Sequence, residues 1–422
     1  MPASASLSSD RPLGQIEPVV IGGDQSLMFL LEGYGFGRRR FDREGTDAVR
    51  TRLMGRRVTL LRGLEAAEFF YGGERFTRTG AMPRSVVRSL QDVGSVQALD
   101  GEPHRARKAL FLHVLDEPSR VALAAEFARA WKRAWPRWQS MGAVPLLDAS
   151  ARVLTEAALR WIGVSVDESE LDRRSAEFRA MIDGAGSFGP RNWRGRMLRL
   201  RTERWARALI RDEREMPHAG VDSPLARIAQ FRDHGVLLDE QTAAIELLNV
   251  LRPTVAISHF IAFAGLALHR HPGWRQRLAG DDTLLLPFCQ EVRRTAPFFP
   301  VIAGTSTGSH TCRGLAFEPG DWVMVDLFAT NRDPGRWSDP ETFDPERFAV
   351  SAEDVPIVPQ GAGPMTTSHR CPGEPTTVDL LVVATRMLAQ SDWTVPHQDL
   401  HIDLRRLPAL PGRKGFLISP KG

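Results

Sequence analysis

The sequence has little of what staples or anchors a chain. Its three cysteines, Cys289, Cys312 and Cys371, lie far apart with no paired spacing. They outline neither a disulfide framework nor a zinc cluster. No uninterrupted apolar run reaches the roughly 18–20 residues of a membrane-spanning helix. The nearest, Val255 to Leu268, ends in His269-Arg270-His271. The opening "MPASASLSSDRP" lacks the apolar core of a secretory signal. It reads as a loose tail over residues 1–24. Charge of one sign is also scarce: a formal net charge of +4 on 422 residues argues against a nucleic-acid partner. Arginine greatly outnumbers lysine, which we assign to genome composition. These absences point to a soluble, cytoplasmic protein with no membrane span.

A composition of 42% hydrophobic and 25% charged residues suits one large globular domain or two ordinary ones. No repeat or linker is visible, so residues 25–422 are read as one domain. Leu27 to Leu61 reads as a short helix followed by a hairpin around Gly55. From about Glu102 to Leu278 apolar residues recur three and four apart, the helical period. Another helix covers "TLLLPFCQEVRRTAP". After Phe298 short β runs ("VIAGTST", "DWVMVDL") alternate with Pro/Gly-rich loops, and helix resumes only after Cys371. The expected class is mainly α with small β-sheets. "GAGSFG", Gly184 to Gly189, matches the dinucleotide fingerprint, but a helical run precedes it and Pro190 follows, so it reads as a loop.

Two stretches carry chemistry. "PQGAGPMTTSHRCPGE" sets Cys371 after a glycine-rich loop and just before a helix. Unpaired N–H groups at a helix start favour a thiolate, the soft ligand that iron takes. An ordinary buried cysteine is the alternative. "ELLNVLRPTVAISHFIAFAGLALH" is apolar on nearly every side, yet holds Arg252 followed by Pro253. No acid lies three or four residues from Arg252. A buried unpaired guanidinium costs several kcal/mol, so an anion must come from elsewhere in the chain or from a ligand. The guanidinium fork fits a carboxylate. Pro253 cannot donate to the Asn249 carbonyl, which predicts a kink there.

Taken in order, "EVRR", "FDPERF" and the Gly-rich loop into Cys-x-Gly resemble the cytochrome P450 superfamily. The resemblance spans about Leu27 to the C-terminus. "NVLRPTVAIS", "QEVRR", "GPRNWRGR", "LDGEPHRARKALF" and the long cysteine loop are similar to one subfamily, the bacterial fatty-acid peroxygenases, which include hydroxylases and alkene-forming decarboxylases. The resemblance implies a mostly helical fold holding haem b with Cys371 as axial ligand. It implies a structural charge triad of Glu291, Arg294 and Arg347. Where conventional members carry an acid–alcohol pair, this chain has Arg252-Pro253. The substrate's own carboxylate, held by Arg252, would then serve as general acid–base for peroxide cleavage, with no redox partner.

Further roles follow from the same resemblance. Gln97 would stand at the distal face, where glutamine accompanies hydroxylation and histidine decarboxylation. His104, Lys108 and His369 would reach haem propionates. Phe298, Val301 and Phe188 would line the channel, and Gln91 would stand near the substrate where relatives carry an apolar residue. Ser368 replaces a glycine, which raises the question of a strained turn. The expected activity is hydrogen-peroxide-dependent hydroxylation of a fatty acid at the α or β carbon. The alternatives are decarboxylation to a terminal alkene, a reductase-fed monooxygenase, or a non-catalytic haem sensor or carrier.

Overall fold

The structure, a computed structural model, describes residues 15–82, 95–187, 189–216, 222–349, 355–412 and 415–421. In chain order the helices are α1 (Ser26–Glu32), α2 (Gly35–Glu44), α3 (Leu64–Tyr71), α4 (Gly101–Val114) and α5 (Glu117–Met141). Then come α6 (Leu146–Trp161), α7 (Glu168–Gly184), α8 (Pro190–Glu215), α9 (Pro224–Ala229), α10 (Glu240–Ala256) and α11 (Ser258–Arg270). The last are α12 (Pro272–Gly280), α13 (Leu285–Thr295), α14 (Leu327–Thr330) and α15 (Glu374–Gln390). The chain divides into two compact units, Met1–Pro83 with Gln290–Cys371 and Leu404–Ala409, and the remainder.

The first unit is built on a six-stranded sheet. Its strands are β1 (Val19–Asp24), β2 (Ala48–Leu53), β3 (Arg56–Leu61), β4 (Phe76–Thr77), the later Val301–Ser306, and Trp322–Asp326. Met54 and Gly55 both take positive φ, 53° and 74°, and join β2 to β3 in the two-residue turn that hairpin twist favours. Trp322–Asp326 is buried along its whole length and lies between β3, parallel, and Val301–Ser306, antiparallel. This explains its unbroken apolar run. One core cluster gathers Phe70, Tyr71, Phe76, Val323, Val358 and Ala362, and so seats the approach to the cysteine loop on α3.

The expected loose tail to Asp24 is corrected here: Val19–Asp24 pairs with β2 in parallel. The single short helix expected before the hairpin is two, α1 and α2. Helix also returns before Cys371, as α14 and a 3-10 turn at Pro345–Phe348.

The second unit centres on α10 and α11, which pack against α6, α7, α8 and α15. By length and composition Glu240–Arg270 is apolar enough to cross a membrane, contrary to the sequence reading. However, 89% of its most apolar window is buried within the protein, as suits a core helix. Asp239 caps its start by accepting from Thr242 N at 2.9 Å. Gly265 lets α11 approach α6; a Cβ there would lie 2.6 Å from Leu146 Cδ2. The irregularity expected at Pro253 appears one turn later. Ile257 N turns to Thr254 O at 3.3 Å, and α11 starts afresh. Pro253 lacks an N–H and crowds the Asn249 carbonyl, and the backbone yields beyond it. A helix, α7, leads into "GAGSFG" and Gly189 caps the next, which fits a loop and not a nucleotide-binding turn.

Candidate active site

Cys371 ends the first unit on a loop whose shape is set by short-range chemistry. Its amide donates to Gln360 O at 3.0 Å. Gly361 and Gly363 sit at φ 103° and 79°, and a Cβ on Gly361 would meet the Tyr71 ring at 2.8 Å. Both positions therefore call for glycine. Ser368 does not: its φ is not positive. Its Oγ donates to Ala362 O at 3.0 Å and accepts from Arg370 N at 3.1 Å, so it ties the turn together. Cys371 forms no disulfide and is half-buried. Among the described residues, no three His, Cys, Asp or Glu gather to hold a metal ion. A lone thiol donor suits an iron that a porphyrin already coordinates, which is how the residues present fit haem.

The loop is braced from α13. Glu291 and Arg294 are fully buried and meet in a two-pronged pair, Nε to Oε2 at 2.6 Å and Nη2 to Oε1 at 2.7 Å. Arg294 also donates to the carbonyls of Asn331, Pro340 and Thr342. Asn331 Oδ1 in turn accepts from Val358 N at 2.8 Å, just upstream of the glycine-rich loop. Arg347 Nε stands 4.0 Å from Glu291 Oε1, the long side of the triad. Burial pushes the Glu291 carboxyl pKa up, while Arg294, the Asp344 amide and Arg347 oppose that rise.

In the second unit Arg252 is 7% exposed, and its Nη2 donates to Asn249 Oδ1 at 2.9 Å. Asn249 Nδ2 donates to Glu246 Oε2 at 2.8 Å. Glu246 Oε1 accepts from Arg107 Nη1 at 3.0 Å and from Val96 N at 3.2 Å. Arg107 also holds Asp233 at 3.0 Å. Glu246, Asn249 and Arg252 thus form a buried row at steps of three along α10. A search for acids within four residues of Arg252 misses Glu246, although the three-residue step is visible in the sequence. Burial raises the pKa of the Glu246 carboxyl; Asn249, Arg107 and the Val96 amide pull it down. From Ala243 to Leu268 every residue is buried except Pro253, which is exposed.

The other expected residues divide by surroundings. Gln97 sits in a 3-10 turn, Val96–Ala98, which Glu246 holds through Val96 N. The Gln97 Oε1 atom is buried without a hydrogen-bond partner among the described residues, which fits a polar ligand approaching there. His104 and Lys108 are 4% and 1% exposed, one turn apart on α4, so neither is a surface residue. His369 is half-buried beside Cys371. Phe298 is half-buried, and its carbonyl accepts from Tyr34 Oη at 2.6 Å. Val301 belongs to a core cluster with Phe36, Trp322 and Met324. Gln91 and Phe188 lie outside the described residues.

Comparison with known proteins follows the same lines. The family model described as Cytochrome P450 matches residues 283–417. "Putative cytochrome P450 120" of Synechocystis sp. is 26% identical over 90% of each chain. Among solved structures, Cytochrome P450SP alpha in complex with (R)-ibuprophen superposes with a TM-score of 0.90 at 39% identity, covering 94% of this chain and 98% of that one. Cytochrome P450EX alpha with myristic acid gives 0.88 at 34% identity over 96% and 98%. An OleT variant in complex with arachidonic acid gives 0.90 at 30% identity over 96% and 98%.

Proposed function

Because this chain belongs to the cytochrome P450 superfamily of haem-dependent oxidoreductases, we propose that it uses hydrogen peroxide to hydroxylate fatty acids at the α or β carbon. The observation that carries this reading is the buried row Glu246–Asn249–Arg252 beside the one exposed residue of the central helix, Pro253. Asn249 orients this guanidinium, and a guanidinium is the side chain whose planar fork matches a carboxylate. The three similar structures were solved with ibuprophen, myristic acid and arachidonic acid, all carboxylic acids.

In this proposal haem held by Cys371 supplies peroxide activation and oxygen insertion. The chain's residues do the rest. Arg252 takes the fatty-acid carboxylate in two-pronged fashion, and Asn249 and Glu246 fix the guanidinium so that it does not turn away. The bound carboxylate takes up and returns a proton as peroxide is cleaved, the part usually played by a protein acid. Pro253, exposed beside Arg252, removes one helix hydrogen bond at this turn. Gln97 accepts a hydrogen bond through its free oxygen but cannot ionise, which favours hydroxylation over a proton-dependent branch. His104, Lys108 and His369 hold haem propionates. Phe298 and Val301 line the path of the fatty-acid chain.

Titrating the haem Soret band with fatty acids of graded length tests the reading. The wild type shifts its spectrum and turns over with peroxide and no reductase. Arg252→Ala keeps its haem but binds carboxylate at least about 30-fold more weakly, because one partner of a buried charge pair is gone. Full peroxide-driven activity in that variant refutes the role of Arg252. Mass spectrometry of products separates hydroxy acid from alkene, and mostly alkene overturns the role of Gln97.

A further inference from the structure

Helix α8 carries large apolar side chains on its exposed face. The face it buries carries Asn192, Gly195, Arg199, Thr202, Ala206, Ile210 and Glu213. Gly195 belongs there because a Cβ would stand 2.7 Å from Ala180 O on α7. Three large apolar side chains nevertheless lie outside: Trp193, Met197 and Leu200 are 65%, 64% and 55% exposed. Around them Arg194, Arg196, Arg201, Arg204, Arg207 and Arg211 are exposed as well. From Pro190 to Arg211 the sole acid is Glu203, and it pairs with the buried Arg199 at 2.6 Å.

The arrangement is ordered, not merely basic. At about 100° per residue, Trp193, Met197 and Leu200 share one narrow ridge. Arg196 and Arg207 fall on one flank of it, Arg194 and Arg201 on the other, and Arg204 and Arg211 prolong it. An apolar ridge between two rows of cations is what a helix needs to lie in a lipid–water interface. The ridge enters the acyl boundary and the arginines stretch sideways to phosphate. Trp193 is the residue type that such an interface retains best.

We propose that the outer face of α8 is a docking surface for an anionic phospholipid bilayer. Charge decides between this occupant and others. A second copy presenting the same face would set these arginines against one another; among the described residues only Arg211 has an acid, Asp212, beside it, at 3.7 Å. A nucleic-acid duplex would match the arginines but leave three apolar side chains against a wet phosphate groove. Only a surface with anionic headgroups and an apolar layer beneath satisfies both parts. Docking there does not depend on the catalytic reading and uses none of its residues.

Flotation of the full-length haem protein with vesicles tests this. The wild type is expected to float with equimolar phosphatidylglycerol and phosphatidylcholine at low salt, to stay behind with phosphatidylcholine alone, and to release as salt rises. Two variants separate the parts. Trp193→Ser with Met197→Ser and Leu200→Ser removes the ridge. Arg196→Gln with Arg201→Gln and Arg204→Gln removes charge, at about fivefold in partitioning per arginine. Both should lose flotation while keeping the wild-type melting temperature and fatty-acid turnover. Failure of the wild type to float overturns the proposal, as does equal flotation of either folded variant. A wild-type dimer that the ridge variant dissolves, without flotation, assigns the face to self-association and also overturns it. So does duplex DNA binding tighter than vesicle binding.

Discussion

Glu246 is a fully buried carboxylate with three hydrogen-bond partners. It holds Asn249, and through Asn249 it aims Arg252; it also binds Arg107 and the amide of Val96. Replacing it separates positioning from charge. Glu246→Gln keeps one oxygen for the Arg107 side but removes the anion that balances it, and it sets an NH2 where an acceptor stood. We expect kcat with peroxide to fall about tenfold or more, since one buried unsatisfied group costs roughly 1–3 kcal/mol. Carboxylate binding, read by Soret titration, should weaken less than in Arg252→Ala, and haem content should hold. An equal loss of haem would make Glu246 merely a folding residue. At this scale the sequence told much. The Glu291–Arg294 pair that the resemblance implied is present as a fully buried ion pair. Ser368 was not legible: a serine in a glycine's place suggested strain, while the backbone there has ordinary φ and the hydroxyl closes the turn. A one-letter sequence carries no dihedral angle.

Helices α10 and α11 form the element on which this chemistry is mounted, and their packing sets its tolerance. Gly265→Ala would drive a methyl to within 2.6 Å of Leu146 Cδ2. We expect a loss of about 1–3 kcal/mol in stability, the usual cost of overpacking, read as a lower urea midpoint at unchanged m-value. An unaltered midpoint would mean that α6 shifts freely. The apolar run announced this core helix plainly. The place of its irregularity was hidden, because proline fixes only its own φ and removes one donor. Where the backbone then yields depends on which later amide finds a substitute carbonyl, here Ile257 with Thr254. β1 and the two short helical pieces before Cys371 were missed for a related reason. Segments of a few residues take their conformation from what they pair with, as β1 does from β2.

For the molecule as a whole, the response to pH is written in buried carboxyls. Asp326 caps α14 by accepting from Ala329 N at 2.7 Å, and burial pushes its pKa up from 3.8 to about 7. The folded chain therefore holds this proton where the unfolded chain has released it. Stability from this group is full below the unfolded pKa and is lost as pH rises from about 4 through about 7, by on the order of a few kcal/mol. Asp326→Asn keeps the capping oxygen and cannot ionise. Denaturant melts at acid and at mildly alkaline pH should show the variant gaining on the wild type at the alkaline end. Parallel profiles would mean that the carboxyl titrates normally. The same logic of enclosed groups reaches the Val96 amide, whose acceptor lies 150 positions along the chain. That bond cannot be made by local coiling; it exists only once α10 has docked. The Val96 hydrogen should accordingly trade for deuterium at the pace of global unfolding, although it sits in a turn of three residues, and a rate typical of surface turns would mean that the tether to α10 opens on its own.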